Sequence, residues 1–310
     1  MRLLHRHSGS IREMELPVTD TSNFPDFSIW SFCYAKGHLP RDFTEGVPVA
    51  SNQGLVETPM VYSVITSAPA SGPREVFLVD TGFATGRSMT GRMFADFEKP
   101  DAVLAKVELA PKDVKTILLT HLHFDHAGNI EAFPEAMILL QHYEYDRWKH
   151  ALKKIADQPQ TKQNWVLSSM NLDDIVKFDR AIADGRVKFV EDSHEVRPGL
   201  TLHLAADTHT FGIQWVEVAT PDGPYIVASD AVVAYANLER MWPPGYHQGN
   251  CWNLLEVYER TKKLVGDDLS RISVGHDMEM FRRLPNWTAG QNPVAEIHVA
   301  AGQKSFVTKA

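Results

Sequence analysis

An α/β fold of two stacked β-sheets with helices on the outside is predicted from three observations. Two sets of β-hairpin runs appear, around residues 59–82 and 200–231, and strand–helix units follow each. The run "VKTILLT" at 114–120 is a continuous apolar β run of the kind that lies in a sheet covered on both faces. Between such runs come segments with helical spacing, such as Tyr145, Trp148, Ala151 and Leu152 along one side of residues 142–156. Chain order predicts the layers and leaves the strand order open.

Taken in order, residues 1–55 carry Pro17, Pro25, Pro40 and Pro48 among Phe24, Phe27, Trp30, Phe32 and Tyr34, without sustained periodicity. They are expected to form an arm packed on the core, its rings serving packing, with residues 56–310 making a single domain. "PMVYSVITSA" and "REVFLVDTG" read as a hairpin that ends at Asp80, Thr81 and Gly82. Helices are expected around "SMTGRMFADF" and 101–108. The strand 114–120 then leads through a histidine-rich stretch into "IEAFPEA", a strand–loop–helix junction of the kind where α/β folds place ligand sites.

Another strand, "AMILLQ", precedes the 142–156 helix. The polar stretch 153–175, with "DQPQTKQNW", reads as a surface insertion that acts as a lid. Leu200, Leu202 and Leu204 alternate with Thr201 and His203 as a half-buried strand. "IQWVEVATPDGPYIVASDA" is a hairpin turning at Asp222 and Gly223. Leu254, Val257, Tyr258 and Val265 give a helix ended by Gly266, and "RISVGHDMEMF" is a short strand running into a turn.

Composition narrows the function classes. The 310 residues are 44% hydrophobic and 23% charged, and no apolar stretch approaches the roughly 18 residues of a membrane span. A net charge of -8 argues against a nucleic-acid partner. "MRLLHRHSGS" lacks the apolar block of a secretory signal, so a cytoplasmic location is expected. Cys33 and Cys251 are too few for a disulfide framework and read as small buried hydrophobes.

The densest chemical signal is "THLHFDHAGN" at 120–129. His121 and His123 are two apart at a strand end and point to one side, while Asp125 and His126 follow in the loop. Crowded imidazoles repel when protonated, a conflict that a bound cation removes. A carboxylate beside imidazoles, with no thiolate, suits Zn first, with Fe, Mn or Co as alternatives. Three more ligand-type residues stand at strand ends: His209 in "DTHTFG", Asp230 in "YIVASDA" and His276 in "ISVGHD". Five His and two Asp suffice for two divalent ions with positions left open for water. Asp80 either caps its turn or supports the cluster, and His142 and His247 stay ambiguous.

These residues resemble the metallo-β-lactamase superfamily, and within it the N-acyl homoserine lactonase branch. "HLHFDHAG" matches the HxHxDH signature, and "THTFGIQ" is similar to GHTPGHQ with Thr208 and Ile213 replacing a glycine and a histidine. "VASDA", "VGHDMEM" and "VDTG" resemble the remaining family segments, so the likeness spans roughly 57–285. It implies a four-layer αβ/βα sandwich of two mixed sheets. It also implies one ion held by His121, His123 and His209, a second by Asp125, His126 and His276, and Asp230 bridging both. The lactonases often carry a tyrosine three residues after the bridging aspartate; Val233 stands there, with Tyr235 two residues on.

The function so implied is opening of a lactone, of the acyl homoserine type or another small one, by a hydroxide shared between the ions, in a quorum-quenching role. Asp125, Asp230 and Tyr235 are the candidate catalytic residues. Phe211, Trp242, Tyr246 and Trp252 are candidates for an apolar substrate pocket. The partner expected is a small molecule, a homodimer being compatible with the reading. The same centre acting on an arylester, cyclic amide, phosphotriester or activated aryl halide is the alternative. A flavodiiron-like redox protein ranks below both, since no flavin motif follows residue 285.

Overall fold

The longest strand among the described residues lies where the sequence offered least periodicity. In the computed structural model, which describes residues 26–46, 54–68, 73–86, 93–159 and 167–307, strand β1 runs from Asp26 to Pro40. From Asp26 onward the segment is therefore an inner strand of a sheet, not an irregular arm. Residues 1–25, including Phe24, lie outside the described residues. β1 pairs with β2 (Leu55–Ala68) along nearly its whole length. Phe32 and Tyr34 pack on one face of the sheet, and Phe27, Ile29 and Cys33 on the other. Register shifts at Ile29/Trp30 and Cys33/Ala35, together with burial on both faces, erase the period-two polar alternation that marks a strand.

The predicted first hairpin forms between β2 and β3 (Val76–Val79), which pair antiparallel. β3, β4 (Thr116–Leu118), β5 (Met137–Gln141) and β6 (Val187–Val190) then run parallel. Two strands that the sequence reading passed over, β12 (Asn286–Ala289) and β13 (Asn292–His298), pair with each other and with β1. The result is an eight-stranded mixed sheet in the order β12-β13-β1-β2-β3-β4-β5-β6.

A second, five-stranded sheet has the order β11-β10-β9-β8-β7. It contains β7 (Ser193–Arg197), the alternating strand β8 (Leu200–Ala206), the hairpin β9 (Gly212–Thr220) and β10 (Gly223–Ser229), and β11 (Ile272–Val274). Phe27, Ile65 and Leu118 meet Leu202, Val216 and Ile226 between the sheets. Helices cover the outer faces. Trp148 of α4 (His142–Ile155) and Phe178 of α5 (Leu172–Ala183) pack on the large sheet, whereas Tyr258 of α7 (Cys251–Leu264) packs against the small one. The fold is thus two mixed sheets with helices outside.

Other expected elements differ in detail. Residues 100–107 hold a short helix, α2 (Pro100–Val103), and a 3-10 turn. "IEAFPEA" gives only the 3-10 turn Ile130–Ala132, because Pro134 removes a donor after one turn. Part of the helix expected around 88–97 lies outside the described residues, and Ala95 instead bridges to Lys36. The centre of the proposed lid, 160–166, also lies outside them; its end is the start of α5. No helix among the described residues is long and apolar enough to cross a membrane.

Candidate metal centre

Four strand ends deliver the seven ligand-type residues to one place. β4 carries His121 and His123 past its end, and the short helix α3 (Phe124–Ala127) turns Asp125 and His126 back toward them. His209 sits in the tight turn between β8 and β9, where Asp207 accepts φ 50 and its N–H donates to the Phe211 carbonyl at 2.7 Å. Asp230 follows β10, and His276 follows β11. Gly275 is required there, since a Cβ would lie 2.2 Å from Asp230 Oδ1.

The side chains converge in two groups able to hold a cation: His121, His123, His209 and Asp230, and Asp125, His126 and His276. Asp230 lies between them, its Oδ2 3.1 Å from His209 Nε2 and its Oδ1 3.1 Å from His276 Nε2. His276 Nε2 is also 3.5 Å from Asp125 Oδ2. The rings of His121 and His126 are 4.2 Å apart, and those of His121 and His123 4.4 Å.

Such packing of unshared donors is costly without an occupant. His121 Nε2 and His126 Nε2 are buried and have no hydrogen-bond partner, the kind of orphan that a cation resolves. Burial, reinforced by His126 and His123, holds His121 well below its usual pKa, and burial with His209 does the same to His123, which keeps both as neutral ligands. Burial also opposes charging of His126 and His276, but their carboxylate neighbours, above all Asp230, prevail: His126 is raised well above the usual value and His276 to about 9. Burial works against an ionised Asp230 too, yet His276, His126 and His209 hold it well below the carboxylate range. An all-nitrogen-and-oxygen donor set of this kind fits zinc or a similar divalent ion.

Supporting groups orient the imidazoles. Asp80, at φ 66 and 2% exposed, places Oδ2 2.8 Å from His126 Nδ1 and accepts the Ser229 hydroxyl at 2.9 Å. Its Oδ1 accepts the Thr120 N–H at 2.7 Å, and Thr120 Oγ1 in turn meets His121 Nδ1 at 2.9 Å. Asp80 therefore stands beneath the cluster as well as ending its strand.

Glu144 of α4 was invisible to sequence reasoning. Its buried carboxylate accepts the N–H of Leu122 at 3.1 Å, of Gly212 at 2.7 Å and of the Trp148 indole at 2.8 Å, tying the His121–His123 segment to the His209 turn. A Cβ at Gly212 would meet the Glu144 backbone nitrogen at 2.6 Å, so only glycine admits the clamp. Burial, partly offset by these hydrogen bonds, pushes the Glu144 carboxyl up to about 7.

Above the cluster opens a cavity of about 390 Å³, bounded by Asp125, His123, His209, Asp230 and His276 and walled mainly by apolar side chains. Of the four aromatic pocket candidates, Tyr246 lines it. Phe211 instead packs edge-on against Trp148 at 5.1 Å, Trp242 lies under the Arg240 guanidinium, and Trp252 projects into solvent at 73% exposure. The wall is completed by Val233 and by Phe43, Met60, Phe94 and Phe124, the last four of which the sequence reading did not single out. Phe43 stacks on Tyr246 at 4.7 Å, a pairing of residues 203 positions apart that no local pattern announces.

Tyr235 is not available for proton transfer. It opens helix α6 (Tyr235–Arg240), is 1% exposed, and its hydroxyl donates to the Ile272 carbonyl at 2.8 Å. Val233 faces the cavity in its stead. His142 is outside the cavity, paired with Asp146. Cys251 is exposed rather than buried, with Sγ 3.2 Å from His247 Nε2.

Comparison with known proteins places these features in a lineage. The sequence profile described as the metallo-beta-lactamase superfamily matches residues 62–276. An N-acyl homoserine lactonase from a Bacillus species is 26% identical over 216 residues, covering 68% of this chain and 76% of the relative. Among solved structures, a hydrolase named AbOPH of the beta-lactamase superfamily superposes with a TM-score of 0.64 at 19% identity, covering 88% of this chain and 95% of that one. A quorum-quenching N-acyl homoserine lactone lactonase gives 0.59 at 21% identity, with 84% and 95% covered.

Proposed function

The chain belongs to the metallo-beta-lactamase superfamily and is a metal-dependent hydrolase, and on that premise we propose that it opens the ester bond of a small lactone at a two-ion centre. His121, His123 and His209 would hold one ion, Asp125, His126 and His276 the other, and Asp230 would serve both. When bound, such ions polarise a carbonyl oxygen and lower the pKa of water near pH 7. The single observation that carries the reading is the convergence of the seven side chains, five of them lining the floor of a largely apolar cavity.

The chain's own residues supply the rest. Phe43, Tyr246, Met60 and Phe94 hold an apolar acyl group and exclude water from it. Asp125, partly exposed to the cavity, takes a proton at its carboxylate from the attacking water and returns it to the leaving alkoxide. No Lys or Arg among the described residues lines the cavity, which favours an uncharged substrate. By the same observation a neutral arylester or phosphotriester is the second reading.

Metal analysis of the purified chain with a panel of acyl homoserine lactones, simple lactones, arylesters and phosphotriesters tests this. Two equivalents of divalent metal and acid release from lactones are expected. Metal-loaded protein that cleaves only the other esters would replace the first reading by the second.

A further inference from the structure

Three of the clustered histidines rest on Nδ1. Thr120 Oγ1 meets that atom of His121 at 2.9 Å, Asp80 Oδ2 that of His126 at 2.8 Å, and the Pro59 carbonyl that of His276 at 2.9 Å. Each contact turns Nε2 toward the interior. His123 is reversed: its Nε2 lies 3.2 Å from Gln248 Oε1, and its Nδ1 faces His209 Nε2 at 3.2 Å. A neutral imidazole carries one donor and one acceptor, and an amide oxygen only accepts. That contact therefore keeps the proton on Nε2 and leaves the Nδ1 lone pair aimed into the cluster.

Gln248 is itself held from two sides. Its amide nitrogen donates to Ser169 Oγ at 3.3 Å, on the cavity wall. Its backbone N–H donates to the His209 carbonyl at 2.9 Å, followed by Gly249 to Thr208 at 2.8 Å and Asn250 to Asp207 at 2.7 Å. One residue thus touches His123 through its side chain, His209 through its backbone and the cavity wall through its amide.

We propose that Gln248 is a positioning residue of the first ion site: it selects the His123 tautomer that presents Nδ1 and locks His123, His209 and the Ser169 wall into one unit. The inference rests on the metal-centre half of the proposed function and is independent of the substrate. Outer-shell partners of ligating histidines fix ring orientation and tautomer, and their loss typically costs about 10- to 100-fold in metal affinity.

The test is chelator competition on the full chain loaded with Zn2+, read without substrate. Gln248→Met keeps the length and removes the acceptor, and one of the two ions is expected to bind about 10- to 100-fold more weakly. Gln248→Glu, which only accepts, is expected to restore affinity to within about 3-fold of the parent, below that range. The visible spectrum of the Co2+ form should change in the Met variant and return in the Glu variant. Melting of the metal-free Met variant beside metal-free parent checks the fold, with Gln248→Ala read in its place if it melts early. A Met variant that keeps both ions at parental affinity, or a Glu variant as weak as Met, overturns the inference. A parent chain that holds no divalent ion overturns the metal centre and this inference together, whereas tight metal binding without lactone turnover removes the substrate reading alone.

Discussion

The floor and the wall of the cavity are built by different means. At and beneath the floor, His121, His126 and Asp230 are at most 3% exposed; His121 and Asp230 follow strand ends and His126 sits on α3, above a network running through Asp80, Thr120 and Ser229. The wall comes from connecting segments: Phe43 lies on the short helix α1 (Arg41–Glu45) at 36% exposure, and Tyr246 on the loop before α7. These two are joined by a ring stack, with the Tyr246 hydroxyl 3.1 Å from Ser168. The difference teaches that the two tasks are separable. Buried polar groups with satisfied outer partners fix the chemistry, while apolar rings on loops set what fits, and the latter change without disturbing the former.

The largest effect should come from the floor itself. Asp230→Ala or His121→Ala is expected to lower turnover by more than the roughly 100-fold that outer-shell changes cost, with loss of at least one metal equivalent while the circular dichroism stays native. Full activity in either variant would remove the floor from the chemistry. One layer out, Asp80→Asn should weaken metal binding about 10- to 100-fold, because the amide keeps an oxygen for Thr120 but sets an NH2 donor against His126 Nδ1. Parental affinity in a chelator titration would show that the network under the floor is dispensable.

Changes in the wall should be smaller and selective. Tyr246→Ala is expected to lower kcat/KM by about 10-fold for long acyl chains and less for short ones, with unchanged metal content, since it removes apolar contact and no ligand. Equal losses across chain lengths would erase the proposed division.

Glu144 titrates between floor and scaffold. Its carboxyl is raised from 4.5 to about 7 by burial, so in that interval the native state holds a proton that the unfolded chain has released. Stability of the metal-free protein should therefore fall as pH rises from about 4.5 through about 7, and Glu144→Gln should flatten that slope in urea titrations. The smallest effect belongs to Tyr235→Phe, which deletes a buried hydroxyl contact with Ile272: a loss of about 0.5–1.5 kcal/mol in stability, with turnover near parental. A collapse in kcat there would return Tyr235 to the catalytic set.

The residues of the floor were legible because their signal is local. "HLHFDH" is compact, and His209, Asp230 and His276 each end a strand whose pattern is readable. Two of the elements that frame them were not. β1 is bulged and buried on both faces, and β13 carries Pro293 and Glu296 inside a strand, so neither shows a clean period of two. Tyr235 and Trp252 misled for a related reason: aromatic residues near a ligand serve the core or the solvent edge as readily as a pocket, and their direction depends on the helix that follows.

The sequence by itself determined the layered α/β class, the donor residues of the cluster and most of the strand ends that bear them, because these follow from side-chain chemistry and short periodicities. Tertiary structure alone decided that Phe43 meets Tyr246, that Glu144 clamps two histidine turns, that Gln248 reaches His123 and that Tyr235 points away. Each of those contacts joins residues 22 to 203 positions apart in the chain, where packing and hydrogen-bond geometry choose the partner and no local propensity reports it.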